Sequence, residues 1–460
     1  MDLELAIKNT LKQQKKFFSS GKTLDIDFRI KQLKKLRQAI LNFQEDIQQA
    51  LYNDLHKSSF EAYATEIGFV LKEITIMLRN LKRWSRIKRK LTPLTAFSGK
   101  SYILFEPFGN VLIISPWNYP FQLLFAPLVG AIAAGNTVIL KPSPYSKHTS
   151  EIMSKIIEQT FDSEYIAIFQ GHRYVNQALL SEKFDFIFFT GSPNTGKVVM
   201  EYAAKNLTPV ILELGGKSPT IVDYDANIKL AAKSIVFGKL TNAGQTCIAP
   251  DYLFVHEKIK DYLLEQMVYF IEQFYGKEQS QCKYYPKIIK SQNVERLSQY
   301  LSCGKIFYGG HYDVKERYFQ PTILTDVNID SDVMKYEIFG PILPVLEFEN
   351  IDEVISFVKE RAKPLAFYYF STNKRKIRYV LKNTTSGGVS INDTLMHFVN
   401  PRLPFGGIGS SGMGRYHGKY SFEAFSNKRA VYHKNLWIDL PFRYLPTNKL
   451  KEKLVKMLLK

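Results

Sequence analysis

One cysteine of this chain sits among residues that suit a nucleophile. Residues 242–250 read NAGQTCIAP, so Cys247 follows a helical segment and lies in a glycine-containing turn with small polar neighbours. An arbitrary cysteine more often packs as a small hydrophobe. This one has two further features. The chain holds 3 cysteines, Cys247, Cys282 and Cys303, an odd number that builds no disulfide framework and suits a reducing compartment where a thiol stays free. The stretch ELGGK at 213–217 closes a preceding strand, which puts Glu213 at the rim where strand ends open into a cleft. A carboxylate there is expected at the rim of the same cleft as the thiol.

Two glycine patterns imitate better-known sites. GSPNTGK at 191–197 resembles a phosphate loop, but position 198 is Val where a magnesium-binding hydroxyl belongs. What remains is a strand-to-helix turn at Gly191, Ser192 and Gly196, with backbone N–H groups available to an anion. GIGSSG at 407–412 matches a dinucleotide pattern, yet it follows Pro404-Phe405 and no strand, so it reads as a loop. The 8 histidines show no paired ligand spacing, and no metal site is read.

These residues need elements to hold them. Residues 1–90 read as helices, with Ile30, Leu33, Leu36, Ile40 and Phe43 at helical spacing. Across 108–212 short apolar runs at 111–114, 138–140, 166–169, 186–189 and 210–212 alternate with helical segments at 125–134, 150–161 and from about 196. Strand and helix in alternation predict a doubly wound, mostly parallel α/β sheet. A second α/β unit follows, with helices at 229–237 and 258–274 and strands at 252–255, 342–348 and 366–370. A length of 460 residues allows two or three such domains. No charge occurs between Glu106 and Lys141, but prolines and glycines break that stretch too often for a membrane span. The beginning of the chain has no apolar core of a signal peptide, and the expected location is cytoplasmic. The formal charge is +19, with its excess in the first hundred and last sixty residues, away from Cys247. A nucleic-acid partner is therefore not expected.

PWNYP at 116–120, KPS at 141–143, Gly191-Ser192 with Gly196, ELGGK at 213–217, GQTC at 244–247, EIFGP at 337–341 and PFGG at 404–407 occur in the order found in the aldehyde dehydrogenase superfamily. GMGRYHGK at 412–419 resembles the shorter, dimeric class 3 branch. The resemblance runs from about Phe28 to Val431. It implies an α/β fold with a Rossmann-type NAD(P)-binding domain (1–85 and 108–212) and an α/β catalytic domain (213–415). A small β bridging and oligomerisation element (86–107 and 416–435) and a basic tail (436–460) complete it. It also implies NAD(P)-dependent oxidation of an aldehyde to the acid. Cys247 attacks the carbonyl to give a thiohemiacetal. The Asn118 amide and the Cys247 N–H steady the oxyanion, hydride loss leaves a thioester, and a carboxylate activates the hydrolytic water. Glu213 and Glu337 are both candidates for that base. A thiol in this role needs a lowered pKa or a nearby base.

On the cofactor side, the resemblance gives Lys141 to the adenosine ribose and Gly191, Ser192 and Gly196 to the pyrophosphate. It puts Glu337, Phe339 and Phe405 at the nicotinamide end. NAD-preferring relatives carry a Glu three residues after the lysine; here Pro144 stands there, which predicts that NADP is tolerated or preferred. Class 3 relatives take medium- and long-chain aliphatic and aromatic aldehydes, and Tyr119, Phe121, Met396, His397 and Phe398 are candidates for an apolar tunnel. A homodimer is expected. The tail 448–460 places Leu450, Leu454, Met457 and Leu458 on one helix face and lysines on the rest, a pattern of either a packed tail or weak peripheral membrane contact. A silent binding protein on this fold and an acylating, coenzyme A-dependent enzyme are the alternatives. The presence of Asn118, Cys247 and the two glutamates speaks against both.

Overall fold

The strand Asn110–Ile114 is buried at every position, as are Thr137–Lys141 and nearly all of Phe186–Gly191. Apolar runs covered on both faces are the mark of a parallel sheet between helices. The computed structural model describes residues 3–440 and 444–459. Its first sheet has six strands, in the order 412–413, Val210–Leu214, Phe186–Gly191, Asn110–Ile114, Thr137–Lys141 and Ile166–Ile168. All pair in parallel except 412–413, which runs antiparallel to the strand of Glu213. From 110–114 the chain first builds outward through 137–141 and 166–168. It then returns to the other side with 186–191. The order therefore reverses between 110–114 and 186–191, and that switch point opens a crevice at the carboxyl ends of both strands. PWNYP follows one strand and Gly191-Ser192 ends the other.

The helix Pro120–Ala134 leaves PWNYP with Pro120 in its first turn, and all 15 of its residues are buried. Gly135, in the left-handed region at φ 95°, stops it. Two amphipathic helices from the N-terminal region, Ile26–Asn42 and Gly68–Trp84, pack against it.

The second sheet has seven strands, ordered 305–308, 322–325, 342–348, 252–256, 219–222, 366–370 and 388–391, parallel except for the first. Tyr368 in this sheet is fully buried and its hydroxyl donates to the Ile248 carbonyl at 2.5 Å, which holds the backbone just past Cys247. Strands 88–90, 100–107 and 426–433 form a separate antiparallel sheet.

The expected boundaries shift in three places. Strand Val210–Leu214 runs unbroken through 212/213, so Glu213 belongs to the first sheet. Strand 412–413 joins that sheet as well. Residues Lys419–Ala424 form a helix, not a bridging strand, which packs on Pro120–Ala134 as well as against strand 426–433. The helix expected from about 196 begins at Pro193, because Ser192 caps it through Thr195 N–H and a proline fits the first helical position. In the tail, Asn448 caps the helix Lys449–Leu458, which buries no residue; Leu450 and Met457 stay exposed. Among the described residues, no helix is long and apolar enough to cross a membrane.

Candidate active site

Cys247 follows a kinked turn at Thr241–Gly244. Asn242, Ala243 and Gly244 all take positive φ there, and a Cβ on Gly244 would lie 2.2 Å from the Gly340 carbonyl oxygen. Only glycine fits that approach. Gln245 locks the turn from inside. Its amide donates to the carbonyls of Asn242 (3.0 Å) and Lys287 (3.1 Å) and its Oε1 accepts from Ile289 N–H at 3.0 Å. The Asn118 amide donates to the Gln245 carbonyl at 2.9 Å, which draws the PWNYP turn against the cysteine turn. An amide nitrogen carries two protons, so one N–H of Asn118 remains for another acceptor.

Two cavities meet at this point. One, of about 450 Å³, has apolar walls that include Phe69, Tyr119, Met396, Phe398 and Tyr416. The other, of about 200 Å³, includes Trp117, Asn118, Gly191, Ser192, Glu337 and Phe339. Cys247 and Glu213, with Leu123 and Thr190, line both. The thiol therefore stands at the junction of a large apolar chamber and a smaller one whose walls hold a greater share of polar groups, hereafter the polar chamber.

Burial governs the titration of this junction. Desolvation, followed by the charges of Glu337 and Glu213, pushes the Cys247 thiol up. Desolvation also pushes Glu213 well above the carboxylate range, with Arg415 opposing, and neither Glu213 oxygen has a hydrogen-bond partner. Glu337 is pushed up to about 8 by burial and Asp251, against the Gly216 N–H, Lys217 and Lys239. The lowered thiol pKa expected for a nucleophile is thus not supplied by these surroundings. What the chain supplies beside the thiol is the Glu213 carboxyl, itself pushed up by the same burial.

The profile of the aldehyde dehydrogenase family matches residues 1–431. A 4,4'-diaponeurosporen-aldehyde dehydrogenase of Staphylococcus aureus is 48% identical, over 99% of both chains. A dimeric NADP-preferring aldehyde dehydrogenase of Rattus norvegicus is 42% identical, over 94% of this chain and 95% of the relative. A solved structure of Staphylococcus aureus AldH in a substrate-bound state superposes with a TM-score of 0.96, at 48% identity and 99% coverage of each chain. This chain belongs to the aldehyde dehydrogenase family. Its members use NAD(P) to oxidise aldehydes, and the resemblance to the class 3 branch holds across the chain.

The polar chamber of this aldehyde dehydrogenase has room for one end of a dinucleotide. It lies at the switch point, beside the start of helix Pro193–Lys205, and Thr190 Oγ1 on its wall is buried without a partner. A Cβ on Gly215 would lie 2.1 Å from Glu337 Oε2, so the backbone there must stay bare. Gly191, Ser192, Glu337 and Phe339 all line this chamber. Four other expectations need correction. Gly196 lies inside the helix, its N–H donates to the Ser192 carbonyl at 2.9 Å, and a Cβ there would meet Leu214 at 2.7 Å. Its role is close packing of helix on strand, with no amide left for a phosphate. Phe405 lines the apolar chamber, not the polar one, stacked on His397 and His417. Phe121 is fully buried against Phe125, facing the core. His397 is not a wall residue; its ring bonds Ser390 Oγ at 3.0 Å.

Lys141 is buried at the end of its strand, where Nζ donates to the Pro142 carbonyl at 2.7 Å and desolvation lowers it to about 8. Pro144 lines a separate cavity of about 300 Å³ with Lys147 and His172.

Several site residues carried no signal in the sequence. Tyr416 lines the apolar chamber with its hydroxyl buried and unpartnered; it lies inside GMGRYHGK, so its stretch was visible but its direction was not. Thr246 bonds the Tyr119 hydroxyl at 2.7 Å. Lys57, in the loop after helix Gln44–Leu55, and Glu66 reach the back of the Asn118 turn.

Proposed function

We propose that this enzyme oxidises medium- and long-chain aliphatic or aromatic aldehydes to carboxylic acids on Cys247, with NADP accepted as readily as NAD or better. The observation that carries this reading is the shared position of Cys247 and Glu213 on the walls of both chambers. An apolar chain lies in the larger chamber with its carbonyl carbon at the thiol. Glu213 takes the thiol proton, and Sγ adds to the carbonyl to give the thiohemiacetal. The free N–H of Asn118 and the Cys247 N–H steady the oxyanion, an effect of about 3–4 kcal/mol per donor at the transition state. The cofactor, when bound, supplies the acceptor for the hydride that this carbon loses. Gly191, Ser192, Glu337 and Phe339 hold it on the polar side. Glu213 releases the thiol proton to solvent, then as a carboxylate takes a proton from the water that attacks the thioester carbonyl, and that proton passes to Sγ as the acid leaves. Glu213 is favoured over Glu337 for this step because it lines both chambers and both its oxygens are unengaged, whereas Glu337 accepts the Gly216 N–H and faces the polar side.

The cofactor preference rests on Pro144. A carboxylate at that position would repel a ribose 2′-phosphate; in the same cavity Lys147 supplies a positive charge, with Glu151 3.9 Å from it. The NADP-preferring relative supports this direction. A homodimer is part of the same reading, supported by the dimeric relative and by Leu91, Leu94 and Phe97, exposed beside the bridging sheet. An aldehyde series from propanal to dodecanal, each run with NAD and NADP, tests the whole reading. The expected result is a kcat/KM that rises with chain length and an NADP value at least equal to that for NAD. A flat series, or a large NAD preference, overturns the corresponding part.

A further inference from the structure

Behind the Asn118 turn lies a buried ion pair. Lys57 is fully buried, and its Nζ donates to Glu66 Oε1 at 2.6 Å and to the Asn118 carbonyl at 2.9 Å. The same ammonium stands 4.0 Å from the centre of the Tyr119 ring. Desolvating two charges is costly, and apolar replacements of equal volume are often as stable. Stability is therefore a weak reason for this pair, and its geometry offers a stronger one. The Asn118 carbonyl accepts a second donor, the Asn242 amide, at 2.9 Å. Asn242 N–H in turn donates to Glu61 at 2.8 Å. Glu66 Oε2 accepts the N–H groups of Phe121 (2.9 Å) and Gln122 (3.2 Å), which fixes the start of the helix after PWNYP. Tyr119, under the ammonium, is tied through its hydroxyl to Thr246, the residue before Cys247. One cation thus grips the residue that carries the oxyanion donor and, through Tyr119 and Thr246, the neighbour of the nucleophile.

We propose that Lys57, held by Glu66, is a positioning residue for aldehyde oxidation: it fixes the Asn118 peptide so that the side-chain amide faces the carbonyl attacked by Cys247. The proposal rests on the reading of Asn118 as an oxyanion donor. Lys57 touches no reacting atom and acts through Asn118. A carbonyl gripped by two donors cannot tilt, and a donor displaced by about 1 Å loses on the order of a hundredfold in rate.

The test is a mutant cycle in the full-length enzyme. Lys57→Met with Glu66→Gln removes both charges together, so neither is left buried alone. Its kcat should fall at least about tenfold, with KM for aldehyde and for cofactor within about twofold of the parent, because neither side chain itself lines a chamber wall. On an Asn118→Ala background the same pair should change kcat less than about twofold. Equal losses on both backgrounds, or an unchanged kcat, overturn the proposal. If the double variant does not melt cooperatively, Lys57→Arg decides instead: it keeps the charge and the partner but moves the donor. A lower kcat on the Asn118 background alone supports the role, and an unchanged kcat refutes it. Asn118→Ala reports on the underlying reading separately. Full kcat in that variant removes the oxyanion donor itself, whereas its impairment beside an unimpaired Lys57 variant removes only Lys57.

Discussion

The two chambers at Cys247 are built in opposite ways. The polar chamber takes most of its walls from short stretches at strand ends, PWNYP after 110–114, Gly191-Ser192 at the end of 186–191 and ELGGK at the end of 210–214, with Cys247, Glu337 and Phe339 added from the second α/β unit. The apolar chamber takes its walls from segments far apart in the chain, around Phe69, Tyr119, Thr246, Met396 and Tyr416. Strand ends at a switch point fix backbone amides and short side chains without much tertiary help. An apolar wall exists only once helices from remote parts of the chain have packed. The chemistry is therefore held by the sheet, and the choice of substrate by packing between elements.

The sharpest way to break this picture is at the junction itself. Cys247→Ala should abolish oxidation with both cofactors, a loss of at least about 10⁴-fold, the size seen when a nucleophile is removed. The melting temperature should stay within a few degrees, since Cys247 is only partly buried and removes a small atom. Activity retained in that variant would undo the assignment of the junction.

The next largest effect separates the two carboxyls. Glu213→Gln should lower steady-state turnover by about 10²–10⁴-fold, the range of one general base. Glu337→Gln should act mainly on cofactor KM. In Glu213→Gln the thioester should accumulate and be trapped by hydroxylamine. The pH profile carries the same contrast. Glu213 sits well above its ordinary range, so the fraction able to take a proton grows with rising pH, and the parent's rate should climb toward alkaline pH. Loss of that climb is expected in Glu213→Gln and not in Glu337→Gln; the reverse would exchange their roles.

The same contrast explains what could be read from the chain alone. The parallel sheet over 108–212 was legible because its strands are continuous apolar runs separated by helices. Cys247, Asn118, Glu213 and Glu337 were legible because each sits in a short pattern whose order matches a family. Phe405 lies on the other side from that expected, since a loop residue between Pro404 and Gly406 can face either chamber and only its stacking on His397 and His417 decides. Gly196 misled because a helix start cannot be fixed to three residues by composition, and the Ser192 cap moved it. Lys57 was invisible. A lysine after a helix reads as a solvated charge, and nothing local shows that Glu66, nine residues on, will fold over it.

A smaller and more selective perturbation tests the apolar chamber alone. Ala64 is exposed and lines that chamber among residues 63–69. Ala64→Trp should leave folding and cofactor KM unchanged while lowering kcat/KM for dodecanal about tenfold relative to propanal, the discrimination that altered apolar contact gives. Equal loss for both aldehydes would mean that the chain runs out of the site by another route.

The smallest expected effect concerns stability and not rate, and it is confined to the polar chamber. Glu337 holds its proton up to about pH 8 in the folded chain, against an ordinary value of 4.5. Between those values the unfolded chain has released a proton that the folded chain keeps. Unfolding then becomes easier as pH rises from 4.5 to 8, and the penalty is complete above 8. Glu337→Gln cannot ionise, so it should melt higher than the parent at pH 8, by an amount equivalent to about 1 kcal/mol or more, and match it near pH 4.5. Urea unfolding at the two pH values measures the difference. A gain at pH 4.5, or none at pH 8, would mean that Glu337 is ionised at neutral pH and already balanced by Lys217 and Lys239. The polar chamber would then carry a fixed negative charge against the cofactor, and the contrast between a strained carboxyl at the thiol and a tethered one behind it would rest on Glu213 alone.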